Sequence, residues 1–150
     1  MKIIEYSTDH RLSFKKLNEE WLEKYFNVEP YDSTLLENCE SEIINKGGYI
    51  FFGIIDNEVM GTYALLPPVN GRTELGKMAV TESYQGKGYG QQLLKHALST
   101  AKSLGIKEIF LFSNRILKNS IYIYKKFGFK EVENVDSPYK RGNIKMLAKL

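Results

Sequence analysis

Residues 82–92 read E-S-Y-Q-G-K-G-Y-G-Q-Q, with Gly86, Gly88 and Gly90 at alternate positions around Lys87 and Tyr89. Three of the chain's twelve glycines thus fall within five residues. They stand directly before residues 89–104, where Leu93, Leu94, Ala97, Leu98 and Ala101 recur on one helical face and Gly105 supplies the stop. Residues 73–80, before the loop, have a strand-like composition. The first turn of a helix leaves its backbone N–H groups unpaired, and the helix dipole favours an anion there. Glycines let a ligand reach those groups without a Cβ clash. The pattern therefore predicts a strand-to-helix turn that holds a phosphate or pyrophosphate. Spacing then separates the nucleotide folds that share this device. No Ser or Thr follows a suitable Gly-Lys to make a Walker loop. The dinucleotide fingerprint needs glycine where Gln91 stands, in a loop after the first strand of its fold.

Outward from the loop, Tyr49–Ile55 and residues 59–66 are β-rich runs joined through Asp56-Asn57-Glu58, a hairpin by composition. Pro67-Pro68 and Asn70-Gly71 connect them to the third run, so the middle of the chain reads as an antiparallel meander. Residues 108–112 (E-I-F-L-F) are apolar on both faces, as in a buried parallel strand. Strand, helix and strand in that order form a right-handed crossover unit. A short helix over 117–127, stopped by Gly128, and two short strands near 129–132 and 144–147 complete the carboxyl half. In the amino half, residues 2–7 are a first strand and Thr8 or Asp9 can cap a helix. From 10 to 28, Leu12, Phe14, Leu17, Trp21, Leu22, Tyr25 and Phe26 recur at three- and four-residue steps, in one helix or a broken pair. Pro30 ends it. Asp32 or Ser33 can cap a second helix running to about Lys46, terminated by Gly47-Gly48. Residues 133–142 look like a loop.

The 150 residues suit one domain, 1–150, with an apolar fraction of 43% and a charged fraction of 26%, ordinary globular values. The net charge of +3 is too weak for the basic stripe that nucleic acid demands. The single cysteine, Cys39, excludes an intrachain disulfide and a cysteine-based zinc cluster. No apolar run approaches the roughly 20 residues of a membrane span. The expectation is a cytoplasmic protein with no metal and with neither nucleic acid nor membrane as partner.

Gln85-Gly86-Lys87-Gly88-Tyr89-Gly90 resembles the Q/R-x-x-G-x-G/A signature of the GCN5-related N-acetyltransferase (GNAT) superfamily. The preceding L-G-K-M-A-V-T-E-S-Y looks like that family's fourth strand, and the later S-I-Y-I-Y-K-K-F-G-F-K-E-V like its second signature. The resemblance is strong over residues 75–132 and architectural in the first 45. It implies an α/β fold, a mixed and mostly antiparallel sheet flanked by helices and opened between its fourth and fifth strands. It also implies acetyl-CoA as acyl donor, its pyrophosphate on the amides of residues 85–91, including Gln91. The amine-bearing acceptor, a small molecule or a peptide, would take the acetyl group by direct transfer in a ternary complex. Family habit also admits a homodimer through the last strands.

Transfer from a thioester to an amine needs a base for an ammonium of pKa ~10, a donor for the oxyanion and an acid for the thiolate. The family's strand glutamate maps to Glu74, acting through a water; the bland alternative is a surface acid beside Arg72. Glu82, on the approach to the loop, is the weaker carboxylate. The family's tyrosine maps to Tyr124, as acid to the departing thiolate; the alternative is core packing with Ile121 and Phe127. Tyr122 points away. The oxyanion and pantetheine contacts map to backbone groups of Met78, Ala79 and Val80. The asparagine that many relatives carry seven residues before the tyrosine is Leu117 here, which leaves Asn114 or Asn119 as substitutes. Lys87 and Lys126 can neutralise phosphates or be solvated. Trp21, Tyr25 and Tyr139, with Phe26 and Glu20 or Glu29, are nominated for the acceptor pocket, most of the aromatics being equally suited to the core. His96 reads as an exposed helix position and His10 as a cap. Two rival functions stay open: a silent acetyl-CoA-binding regulatory or protein-interaction module, and a basic binding module.

Overall fold

The computed structural model describes residues 1–133 and 136–150. Asn134 and Val135, within the expected 133–142 loop, lie outside the described residues. One seven-stranded sheet has the order β1-β2-β3-β4-β5-β7-β6. Its first four strands, β1 (Lys2–Glu5), β2 (Tyr49–Ile55), β3 (Glu58–Leu65) and β4 (Thr73–Val80), pair antiparallel in sequence. Asp56 and Asn57 both have positive φ (50° and 64°), the two-residue turn whose twist suits a hairpin. Asn70 and Gly71 do the same (52° and 74°) between the bridged Val69 and Arg72.

β5 (Glu108–Ser113) joins β4 in parallel through only two pairs, Thr73↔Ile109 and Glu74↔Phe110. Along its whole length it pairs antiparallel with β7 (Ile144–Lys149), which also receives β6 (Lys130–Val132). The apolar character of residues 108–112 thus comes from burial between layers, with one parallel and one antiparallel neighbour.

Two cores lie on the two faces of the sheet. On one, α4 (Tyr89–Ser103) buries Leu93, Leu94, Ala97 and Ala101 with Tyr63, Leu75 and Leu111, and Ile121, Tyr124 and Phe127 of the α5 (Lys118–Lys126) region pack against them. On the other, Phe14 and Leu22 of α1 (Arg11–Tyr25) and Leu35 and Leu36 of α2 (Pro30–Glu37) meet Ile50, Phe52 and Leu66. Cys39, opening the short α3 (Cys39–Glu42), is a fully buried member of that second core.

Four amino-terminal expectations are corrected. Ser7, not Thr8 or Asp9, caps the first turn, its hydroxyl accepting from Asp9 N–H. Pro30 begins α2 instead of ending α1, which stops at Tyr25; at the first helical position its missing N–H costs nothing. Glu29 is the N-cap of α2, and Asp32 returns the bond as the third residue of a capping box. The helix expected to run to Lys46 breaks at Asn38.

Candidate active site

Beyond the Glu74↔Phe110 pair no bridge joins β4 to β5, although β4 runs on to Val80 and β5 to Ser113. The strands splay, and a cleft with about 110 Å³ of room opens between them. Glu74, Gly76, Lys77 and Met78 form its floor, α1 walls one side, and Ser120 and Tyr124 stand on another. A bulge deforms β4 at this place. Thr62 pairs with Ala79 but Ala64 with Gly76, so Lys77 and Met78 both stand opposite Tyr63. Lys77 adopts φ 53°, a left-handed conformation unusual for a residue with a side chain. The extra residue turns Lys77 toward α2, on the same side as Glu74, where strict alternation would send it to the α4 face.

Glu74 folds its carboxyl over Gly76, whose Cβ, if present, would lie 3.1 Å from Oε2. Burial raises the Glu74 pKa to about 7, against the opposing pull of Lys77, a hydrogen bond from Tyr139, Lys145 and Arg141. Tyr139 Oη donates to Oε2 at 3.3 Å. Oε1 has no partner among the described residues, and none of their side-chain polar atoms is both fully buried and unpaired, so Oε1 opens to the cleft. Arg72 is not beside Glu74; it pairs with Glu108 at 3.2 Å. Glu82 is exposed and pairs with Lys24 of α1 at 2.7 Å.

Around Glu74 lies a charge cluster. Asp32, fully buried, accepts from Lys77 Nζ at 2.5 Å and from both terminal nitrogens of Arg141 at 2.7 and 2.8 Å. Against the cost of burial, Arg141 and Lys77 bring the Asp32 pKa down to about 2. Glu29 adds a second carboxylate to Arg141 at 3.1 Å and accepts from the Lys140 N–H at 2.8 Å.

Tyr124 packs its ring 5.9 Å from Phe129, and burial raises its phenol pKa. Among the described residues no side-chain hydrogen bond reaches its hydroxyl. At the glycine loop, Gly86 and Gly88 have φ 75° and 84°, and a Cβ on Gly86, Gly88 or Gly90 would meet nothing within 4 Å. The first helical hydrogen bond of α4 runs from Gln92 to Gly88 (3.1 Å), so the amides ahead of it have no helical partners. This bare cradle of N–H groups at a helix start fits an anion such as a pyrophosphate.

A parallel pair that splays beside a bulge, a glycine cradle at the next helix, and a carboxyl and a phenol lining the gap agree with the comparisons to known proteins. The pattern that defines the Acetyltransferase (GNAT) family matches residues 13–129. The chain belongs to the GNAT acetyltransferase family. It is an acetyl-CoA-dependent N-acetyltransferase. It is 30% identical over 116 residues to the uncharacterized N-acetyltransferase YvbK of Bacillus subtilis, covering 75% of this chain and 74% of the relative. To the ribosomal protein bS18-alanine N-acetyltransferase of Haemophilus influenzae it is 27% identical over 120 residues, 80% of this chain and 77% of that one. The crystal structure of a GNAT acetyltransferase from Staphylococcus aureus Mu50 superposes with a TM-score of 0.87 at 25% identity, covering 99% and 98% of the two chains.

In this GNAT chain the expected residues fall unevenly about the cleft. Glu74, Met78, Tyr124, Trp21 and Tyr139 line it. Ala79 is buried and paired with Thr62, and the Val80 carbonyl accepts from Gln85 Nε2 at 2.9 Å. The Gln85 side chain therefore braces the strand end instead of facing a ligand. Lys87 lies over the Tyr84 ring at 5.7 Å, and Tyr89 stacks edgewise on Tyr84. Asn114 lines the cleft, donating to the Arg141 carbonyl at 2.7 Å and accepting from Ile116 N–H at 3.0 Å, while Asn119 is exposed on the first turn of α5. Leu117 and Ser120 line the cleft as well. Tyr25 is 39% exposed and lies outside the cleft against Trp21; Phe26 takes its place. His96 is half-buried, with Tyr63 Oη 2.7 Å from Nδ1. Sequence reasoning missed Asn18, Asp32 as an ion-pair partner, Lys77 and Arg141. Asn18 is 4% exposed, gives its amide N–H to the Phe14 carbonyl, and lines the cleft. A polar residue within the apolar period of α1 was the one available signal.

Proposed function

We propose that this cleft moves an acetyl group from acetyl-CoA to a primary amine by direct attack, with Glu74 as base and Tyr124 as acid. The observation that carries the reading is a partly desolvated carboxyl, titrating at about 7, on a cleft floor that a phenol also lines. A base of that pKa is about half ionised at neutral pH and basic enough to accept an ammonium proton through a water. The amine nitrogen, once neutral, attacks the thioester carbonyl. Tyr124, kept protonated by burial, gives its proton to the departing sulfur and regains one from the nitrogen of the collapsing intermediate, so an N-substituted acetamide and free thiol leave and the base returns its proton to solvent. Acetyl-CoA supplies the activated acyl group. The bare amides of residues 86–91 would hold its pyrophosphate, and the β5-facing edge of β4 past Leu75, unpaired in the sheet, would take an extended arm as an added strand. Trp21, Leu22 and Phe26 make the acceptor wall apolar, with Asn18 Oδ1 as an acceptor for an N–H. That wall favours a small-molecule or peptide amine on an apolar body.

The test is thiol release over an amine panel, with acetyl-CoA affinity measured by calorimetry. Glu74→Gln and Tyr124→Phe each lower kcat by about a hundredfold or more while acetyl-CoA affinity holds. Equal loss of turnover and affinity in Tyr124→Phe returns that residue to packing, and an active Glu74→Gln removes the base.

A further inference from the structure

Tyr139 is held more tightly than a pocket wall requires. Its ring lies 4.5 Å below Lys77 Nζ and 4.4 Å from the Arg141 guanidinium carbon, a cation on each of two contacts. Both cations are anchored on one carboxylate, Asp32, and Glu29 holds the backbone N–H groups of Lys140 and Arg141 beside them. Tyr31 and Phe112 contact the ring at centroid distances of 5.4 and 6.2 Å, and Ser137 Oγ accepts from the Tyr139 N–H. Only 7% of the residue is exposed. Phenylalanine would satisfy every one of these ring contacts. Burying a phenol costs free energy unless the hydroxyl is paired, and its one partner among the described residues is Glu74 Oε2.

We propose that Tyr139 is the positioning residue of the acceptor base: clamped through Lys77 and Arg141 on Asp32, its hydroxyl holds Glu74 Oε2 and leaves Oε1 aimed into the cleft. The inference rests on the reading of Glu74 as base. The clamp crosses three parts of the chain, since Asp32 belongs to α2, Lys77 to the β4 bulge and Tyr139 and Arg141 to the segment before β7. A donor at 3.3 Å is long for a bond to a carboxylate, as catalytic hydrogen bonds often are before substrate tightens them. The groups that act on Glu74 are Lys77 on its own strand, Tyr139 and Arg141 from the 137–143 segment and Lys145 from β7. Tyr31 and Asp32 of α2 complete the set of titratable neighbours.

The experiment is kcat/KM against pH for wild type, Tyr139→Phe and Glu74→Gln, with the acceptor amine found above. A hydrogen bond to the ionised carboxylate favours the ionised form, so losing it moves the acid limb upward, by about one pH unit. The expected Tyr139→Phe enzyme has that shifted limb, a kcat lowered about tenfold and an unchanged KM for acetyl-CoA. An unmoved limb beside a dead Glu74→Gln overturns the role of Tyr139 alone. An active Glu74→Gln overturns the base reading and this proposal with it. Arg141→Lys tests the clamp with charge retained: an acid limb moved upward as in Tyr139→Phe supports it, and an unmoved limb overturns it.

Discussion

Glu74 carries opposite consequences for activity and for stability. Its carboxyl titrates at about 7 in the folded chain against an ordinary 4.5. A raised carboxyl pKa means that the associated stability is complete below about 4.5 and is lost as pH rises through about 7. The lost amount is about 3 kcal/mol for a shift of this size. Catalysis needs the other form, so kcat/KM rises with pH through the same window. Glu74→Gln, an isostere that never ionises, is accordingly expected to melt higher than wild type at pH 8 and no higher at pH 4. Melting curves of the two proteins at both pH values check this, and equal melting temperatures at pH 8 would show that burial does not penalise the Glu74 charge. Lys77 bears a related tension. Its left-handed backbone costs about 1 to 2 kcal/mol for an L-residue, and the 2.5 Å pair with Asp32 holds it there.

At the scale of elements, the glycine loop and α4 share one set of backbone groups. Gly88 is the N-cap of α4 at φ 84°, and an added Cβ there would project into empty space. Valine at this position both strains the cap by about 1 to 2 kcal/mol and fills the cradle. Gly88→Val is expected to keep the far-ultraviolet circular dichroism of wild type and lose acetyl-CoA binding by calorimetry. Unchanged affinity would mean that the cradle does not hold the donor's pyrophosphate. α1 connects this loop to the acceptor wall. Glu20 accepts from Thr81 Oγ1 at 3.2 Å and Lys24 pairs with Glu82, while Asn18 and Trp21 of the same helix line the cleft.

Across the whole molecule, the cleft is a seam between two halves of one sheet, joined at β4 and β5 by two residue pairs. A ligand lying along that seam bridges the halves and binds the folded state alone. At one hundred times its dissociation constant such a ligand adds about 2.7 kcal/mol, a rise in melting temperature of roughly 5–10 °C for a chain of this size. Acetyl-CoA is expected to produce that rise, and ATP and NAD at the same concentration much less. A thermal shift assay with the three ligands decides it, and equal shifts would reduce the site to a general nucleotide pocket. No described helix is long and apolar enough to cross a membrane.

What could be read without coordinates was whatever local chemistry dictates. Positive φ favours glycine and asparagine, so the turns at Asn70-Gly71 and Gly86–Gly88 were visible in composition. Period-two and period-3.6 patterns placed the meander and α4 to within a residue. The Glu74 and Tyr124 positions came from the resemblance to the family, and both line the cleft. Asn114 and Asn119, substitutes for the family asparagine that is Leu117 here, diverge, Asn114 lining the cleft and Asn119 lying exposed, because an amide's surroundings depend on which loops pack beside it. Asp32, Lys77 and Arg141 are separated by 45 and 109 residues along the chain from Asp32, and no local pattern links them. The tertiary structure alone decided that a bulge turns Lys77 to the Glu74 side and that the segment before β7 brings Arg141 to Asp32. Backbone conformation and periodicity are short-range properties that a sequence displays; the desolvation of a carboxyl and the closing of an ion cluster are set by distant segments meeting in space.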